Sequence, residues 1–177
     1  MNIRFNIQKD IKLKIENHIQ KHRKDILINS RLVGTKRVEN WKEHLTKDKI
    51  GAKNVPVSEI KNMINFNNLG VSQRMNHLIQ ELFPENKVVS TGYFHYPPTG
   101  YMGWHTNSNA PCSRLYLTWA DEGGKSFFRY LKDGKEVTDY DEAGLTARLF
   151  EVTGEEPLFW HCVGSETDRL SFGYAIQ

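Results

Sequence analysis

After Pro84 the sequence alternates with a period of two, and no other feature limits the fold so tightly. Seven short runs follow one another: "KVVSTGYFHYP", "MGWHT", "RLYLTWA", "KSFFRYL", "TARLFEV", "PLFWHCV" and "RLSFGYAI". Each is rich in aromatic or β-branched residues, the side chains that pack on a pleated, half-buried surface. Between them stand "PPTG", "DEGG", "KDGK", "VTGEE" and "GSETD", which is turn chemistry. Seven short strands at roughly even spacing predict an antiparallel sandwich or barrel rather than alternating βαβ units.

The residues before Pro84 follow a different period. In "IKLKIENHIQKHRKDI", Ile11, Ile15, Ile19 and Ile26 recur at helical spacing between Lys and Glu. "VSEIKNMINF" offers Ser58 as an N-cap before Ile60, Met63 and Ile64, and predicts a second helix. "SQRMNHLIQELF" predicts a third, starting at Ser72, with Met75, Leu78, Ile79 and Leu82 on one face and Pro84 as its stop. The connection "NSRLVGTKRVENW" is read as holding a short strand. The 177 residues suit a single domain, 1–177, in which 1–87 form a mainly helical support and 88–177 a β core. The fold class expected is α+β, mainly β, with the helices packed on one face of a β-roll.

Charged residues make up 25% and hydrophobic ones 38%, the balance of a folded chain rather than a disordered one. No apolar run approaches the roughly 20 residues that cross a bilayer, and "MNIRFNIQKDIKLKIENHIQ" lacks an apolar signal segment. Two cysteines, Cys112 and Cys162, are too few for a disulfide scaffold. A reduced, cytoplasmic setting with no membrane contact is the expectation. Charge is uneven: residues 1–62 carry 15 Lys and Arg against 7 Asp and Glu, and the rest carry 9 against 14. The basic half is either a solvated helix surface or a face for an acidic partner or nucleic acid.

Of the seven histidines, most have plain explanations. His18 and His22 lie four apart on the first helix without an acid or thiol to complete a metal set, and His44 and His77 lie in charged helical stretches. His95 and His105 flank the "YPPTGY" turn. His105 ends a strand and is followed by a polar turn, His161 stands 56 residues later, and Arg169 opens the last strand 8 residues after that. Two imidazoles and an arginine in the mouth of a small β-barrel suit a divalent metal and a carboxylate ligand held together.

"HTN" at 105–107, His161 in "FWHCVG" and Arg169 in "DRLSF" resemble, in order and strand context, the 2-oxoglutarate- and Fe(II)-dependent oxygenases. The resemblance spans roughly residues 88–176 and implies a double-stranded β-helix, jelly-roll or cupin-like, with N-terminal supporting helices. It implies Fe(II) as cofactor and 2-oxoglutarate as co-substrate, with His105, Asn107 and His161 as metal positions and Arg169 on the far carboxylate of 2-oxoglutarate. Fe(II) favours imidazole nitrogen and carboxylate oxygen on one face, and arginine's planar fork pairs bidentately with a carboxylate.

Asn107 stands where the family has Asp or Glu. Three alternatives follow: Asn107 ligates through its oxygen, water fills the position as in the aspartyl/asparaginyl β-hydroxylase branch, or the site has lost activity. The "TNSNAPCSRLYL" stretch is similar to that branch and implies that Arg114, sharing a strand face with Tyr116, touches the co-substrate. There is some likeness to the prolyl hydroxylase branch as well. Family halogenases also lack the carboxylate, but with a smaller residue than Asn. Tyr93 and Tyr96 are candidates to hold 2-oxoglutarate through a hydroxyl, or are core aromatics. Gly103, Trp104, Trp119 and Trp160 form either site walls or plain core, and Cys162 points to the opposite strand face from His161.

The function so implied is hydroxylation of a protein side chain or a small molecule. The rivals are a cupin-like metal- or ligand-binding protein or isomerase, an inactive homologue serving as a binding module, and an adaptor whose basic helices dock an acidic partner.

Overall fold

The computed structural model describes residues 3–33, 38–50, 62–66 and 69–177. Helix α1 (Lys9–Val33) buries Ile11, Ile15, Ile19 and Ile26, the positions its periodicity predicts, and adds Leu27. Helix α2 (Leu69–Leu82) starts at Leu69 rather than Ser72, buries Val71, Met75, Leu78 and Ile79, and stops short of Pro84. The two helices pack on each other and lay their apolar stripes on one face of a sheet.

Two sequence expectations in this half are corrected. The helix expected over "VSEIKNMINF" does not form where the chain is described. Ser58 and Ile60 lie outside the described residues, and Ile64–Asn65 is a short strand, β1. Ile64 and Asn65 pair with His95 and Phe94, and the Phe66 amide donates to the Tyr93 carbonyl at 3.0 Å. A sheet edge with free backbone groups outweighs the weak propensity of one short apolar stripe. The strand expected in "NSRLVGTKRVENW" is replaced, over 29–33, by the last turns of α1; 34–37 lie outside the described residues. Two 3₁₀ turns follow, Trp41–Leu45 and Lys47–Lys49.

The remaining strands are β2 (Val88–Tyr96), β3 (Tyr101–His105), β4 (Cys112–Ala120), β5 (Ser126–Lys132), β6 (Lys135–Tyr140), β7 (Gly144–Val152), β8 (His161–Ser165) and β9 (Arg169–Ile176). They form two antiparallel sheets, β1-β2-β9-β4-β7 and β3-β8-β5-β6. Strand β6 is absent from the sequence expectation. "KEVTDY" is polar and lies at a sheet edge, so it carries no apolar alternation. Its signal is the turn before it: Asp133 and Gly134, with φ of 50° and 70°, make the two-residue primed hairpin that joins it to β5.

Alternation sorts the side chains of the large sheet into two layers. Leu115, Leu117 and Trp119 of β4, and Leu170, Phe172, Tyr174 and Ile176 of β9, join the helices in one core. Their neighbours in sequence face the small sheet, where Tyr96, Phe128, Tyr130, Phe150, Val152 and Val163 pack together with Ile3. On the outer face of the small sheet, Trp41 and Leu45 sit on Tyr101, Trp104, Phe127 and Cys162. Gly164 lets them sit there, since a Cβ on it would lie 2.5 Å from Trp41 Cζ3 and 2.7 Å from Phe127 Cζ.

The segment before α1 also pairs. The Phe5 amide donates to the Ala147 carbonyl at 3.0 Å and the Leu149 amide to the Ile3 carbonyl at 2.8 Å, so residues 3–5 run along the outer edge of β7.

Candidate metal and co-substrate site

His105 and His161 are Cα partners at facing ends of β3 and β8. A bulge brings them together. From Met102 to His105 is three residues, while their partners Val163 and His161 are two apart, so β3 carries one extra residue. Without it, Met102 and His105 would face opposite sides; with it, both line one cavity. The imidazole ring centroids lie 4.0 Å apart, 55° from coplanar.

Their tautomers follow from their partners. His105 Nδ1 lies 2.8 Å from the Gly103 carbonyl and His161 Nδ1 lies 3.0 Å from the Phe159 carbonyl. A carbonyl only accepts, so each Nδ1 carries the proton and each neutral ring keeps a bare Nε2 lone pair. Burial holds the rings neutral. It pulls His105 down to about 4, and it pulls His161 well below the usual imidazole range, where the neighbouring His105 adds to the effect. Phe128 stacks on His161 at 5.2 Å, and Phe150, Phe159 and Tyr116 enclose it further.

Asn107 reaches the same point. It has φ 58°, a left-handed conformation that Asn adopts more readily than most residues. Its Nδ2 donates to the Tyr116 hydroxyl at 3.2 Å and meets His161 Nε2 at 3.3 Å, where the bare ring nitrogen accepts. Among the described residues, no group of three His, Cys, Asp or Glu forms a metal cluster.

A cavity of about 280 Å³ opens here between the sheets. Thr91 and Asn109 stand exposed at its rim, Asn107 and Tyr116 half-buried beside the imidazoles, and Tyr96 buried at its floor. Beneath Tyr96, with the guanidinium carbon 5.1 Å from the ring centroid, lies Arg169. Arg169 donates through Nε to Asp141 Oδ2 at 2.9 Å and through Nη2 to Thr118 Oγ1 at 3.0 Å, while its buried Nη1 has no partner. Asp141 is shared: Arg148 Nη1 donates to its Oδ1 at 2.6 Å and the Ser126 hydroxyl to its Oδ2 at 2.5 Å. Burial opposes the charge on Asp141, but Arg169 and Arg148 overcome it and hold the carboxyl down at about 2. Burial raises the Tyr96 and Tyr116 hydroxyls above the usual phenol range, so both stay protonated.

Of the residues singled out in the sequence, His105, Asn107, Tyr96, Tyr116 and Arg114 line this cavity, His161 stands behind them against His105 and Asn107, and Arg169 lies under the floor. Tyr93 is not among them, and this corrects its expected role. Tyr93 does share strand parity with His95, but that parity faces the helices. Its hydroxyl donates to Asn76 Oδ1 at 2.9 Å and contacts the Tyr174 hydroxyl at 2.8 Å. His95 is buried against Asp168 at 2.8 Å. Trp119 belongs to the helix-facing core, and Trp104 and Trp160 to the outer face of the small sheet, so none of the three walls the cavity. Cys162 turns away from His161 into that outer layer, as expected, and neither cysteine is in a disulfide.

Sequence reasoning missed Asp141, Thr118, Met102, Phe94 and Ser171. Asp141 follows β6, the strand that the sequence concealed, and the others become visible only once the bulge and the strand pairings fix which parity is inward.

No helix among the described residues is long and apolar enough to cross a membrane. No family model matches the chain, and no curated protein sequence does. Solved structures do. A prolyl hydroxylase from Trichoplax adhaerens, in complex with a hypoxia inducible factor oxygen degradation domain peptide fragment, aligns at TM-score 0.52 and 10% identity over 92% of this chain and 78% of that one. A Pseudomonas putida prolyl-4-hydroxylase aligns at TM-score 0.48 and 15% identity over 99% and 91%. A 2OG-Fe(II) oxygenase family oxidoreductase from Burkholderia pseudomallei aligns at 0.44 and 11%, over 66% of this chain and 65% of its own length. The first of these carries a likeness of fold: this chain is a mainly-β double-stranded β-helix with helical support, the architecture it shares with the Trichoplax prolyl hydroxylase.

Proposed function

We propose that the chain is an Fe(II)- and 2-oxoglutarate-dependent oxygenase, a hydroxylase of a small molecule or a protein side chain. The observation that supports it best is the pair of buried neutral imidazoles, each anchored through Nδ1 and each with a bare Nε2. That donor set suits a divalent iron. Asn107 supplies the third position: a half-turn of its amide exchanges the nitrogen now facing His161 for an oxygen that can ligate. The far carboxylate of 2-oxoglutarate is assigned to Arg169, whose unpartnered Nη1 is a donor awaiting an acceptor, with the protonated Tyr96 beside it. Iron held there would supply the activation of O₂ that splits 2-oxoglutarate into CO₂ and succinate, one oxygen atom ending in the succinate carboxylate and the other in the hydroxyl group formed at a substrate C–H bond.

The chain's own residues do the rest. Nδ1 bonds to the Gly103 and Phe159 carbonyls fix the imidazole planes, as outer partners of metal-bound histidines do. The Phe128, Phe150 and Phe159 cluster keeps water from one side of the site. Asp141 and Thr118 hold the Arg169 fork in place.

The test is succinate formation from 2-oxoglutarate with Fe(II), ascorbate and oxygen, alongside calorimetric binding of 2-oxoglutarate. Turnover that survives His105→Ala, or neither turnover nor binding in the wild type, defeats the reading. One observation favours a rival, a metal-binding module without turnover: the neutral Asn107 stands where a carboxylate would charge-balance the iron. That rival predicts stoichiometric metal, lost in His105→Ala, without succinate. A metal-free adaptor would be indifferent to the substitution. For the adaptor's acidic partner, the basic first half is already partly spent, since Lys14 and Arg23 pair with Glu81 and Asp121.

A further inference from the structure

Two guanidinium groups flank the imidazole pair at two depths. Strand pairing sets the levels: Arg169 lies opposite Ala120, Ser171 opposite Thr118, Gly173 opposite Tyr116, and Ala175 opposite Arg114. Tyr116, whose ring centroid is 6.2 Å from that of His161, marks the level of the imidazoles. From Ala120 to Arg114 is six residues, about 20 Å of strand. Arg169 is therefore below the imidazoles and Arg114 above them, toward the exposed rim residues Thr91 and Asn109.

The two cations differ in what neutralises them. Arg169 has Asp141. Arg114 is 6% exposed, yet among the described residues no carboxylate pairs with it. Nη2 donates to the Ala110 carbonyl at 2.9 Å, and the buried Nε has no partner. A guanidinium withdrawn from water costs several kcal/mol unless an anion offsets it. Its surroundings in the cavity, Asn107, Asn109 and the Tyr116 hydroxyl, are polar and uncharged.

We propose that Arg114 anchors a carboxylate of the molecule to be oxidised, so that the substrate is a small carboxylic acid whose acid group sits at the rim and whose reacting carbon reaches down to the imidazoles. The proposal rests on the oxygenase reading, with 2-oxoglutarate extending from the imidazoles toward Arg169. It moves Arg114 from the co-substrate, where the family resemblance put it, to the substrate.

The experiment is calorimetry on the full chain with 2-oxoglutarate at saturation and no iron, so that nothing turns over. The probes are N-acetylglycine, N-acetylalanine and N-acetylphenylalanine, each against its primary amide. The wild type should bind at least one acid about tenfold or more tightly than its amide, the loss expected when a charge-assisted pair is broken. In Arg114→Gln, acid and amide should bind alike, and Arg114→Lys should restore part of the preference. Wild type that does not distinguish acids from amides overturns the proposal, and that arm needs no variant to fold. So does an Arg114→Gln protein that keeps the preference but loses 2-oxoglutarate affinity, the mark of a co-substrate anchor. The oxygenase reading fails separately, through absence of succinate when iron and oxygen are supplied; the acid preference is read without either.

Discussion

Replacing Asp141 by asparagine leaves two buried guanidiniums short of a charge. Arg169 would keep the Thr118 hydroxyl and Arg148 would keep Asp139, but the carboxylate that lies between them, at 2.9 and 2.6 Å, would be gone. Removing one member of a buried ion pair costs about 3–5 kcal/mol, and for a chain of this size that lowers the melting temperature by roughly 6–20 °C. The effect carries a pH signature. The Asp141 carboxyl is held at about 2 in the fold against about 3.9 unfolded. Because the folded value is the lower one, its stabilisation is fully present above about pH 4 and is lost as pH falls toward 2, an amount of about 2–3 kcal/mol. Urea unfolding of wild type and Asp141→Asn, followed by tryptophan fluorescence from pH 7 to pH 3, should therefore show a large gap at neutral pH that narrows in acid. A variant within about 1 kcal/mol of wild type at pH 7, or a gap that does not narrow, refutes the shared-carboxylate account.

Asn107→Asp should tighten Fe(II) binding by about tenfold by restoring a charged oxygen; competition against a coloured chelator measures this, and unchanged affinity would place Asn107 outside the metal's reach. Gly164→Val forces a side chain into the Trp41, Phe127 and Leu45 contact and should cost about 2–3 kcal/mol; thermal denaturation showing no loss would mean that the 3₁₀ turn does not seat there. Tyr93→Phe removes a buried hydroxyl from Asn76 and Tyr174 and should cost about 1–2 kcal/mol. Calorimetry should find its 2-oxoglutarate affinity unchanged, and a large loss would return Tyr93 to the site.

What the sequence disclosed depended on how local the signal was. Ile11, Ile15 and Ile19 announce their helix face by spacing alone, and all are buried. The period-two runs announce their strands for the same reason. β6 carries no such pattern, because an edge strand of polar residues gains its place from the Asp133–Gly134 turn and from pairing with β5. Parity arguments worked within a strand and failed between strands: Tyr93 and His95 do share a face, but which face is inward depends on pairing partners. The side-by-side placement of His105 and His161 requires an extra residue in β3 that nothing in "YMGWH" marks, since a bulge is defined only against its partner strand. Arg114 and Arg169 are alike in sequence; their difference lies in Asp141, a contact that no spacing rule reaches.

The pairing of residues 3–5 with β7 has a consequence for how the protein behaves at high concentration. β7 is the last strand of its sheet, and an uncovered edge offers a row of amide and carbonyl groups to any passing strand, including the same edge on another copy. Ile3 and Phe5 occupy that row, and the Ile3 side chain, 2% exposed, plugs the gap between the sheets beside Phe150 and Val152. Deleting residues 1–8 would leave α1 and the cavity residues in place while uncovering the edge and removing the plug. Light scattering should then detect self-association that grows with concentration, while the full chain at matched concentration should stay monodisperse. Appending a long tag before residue 3 acts on the same edge.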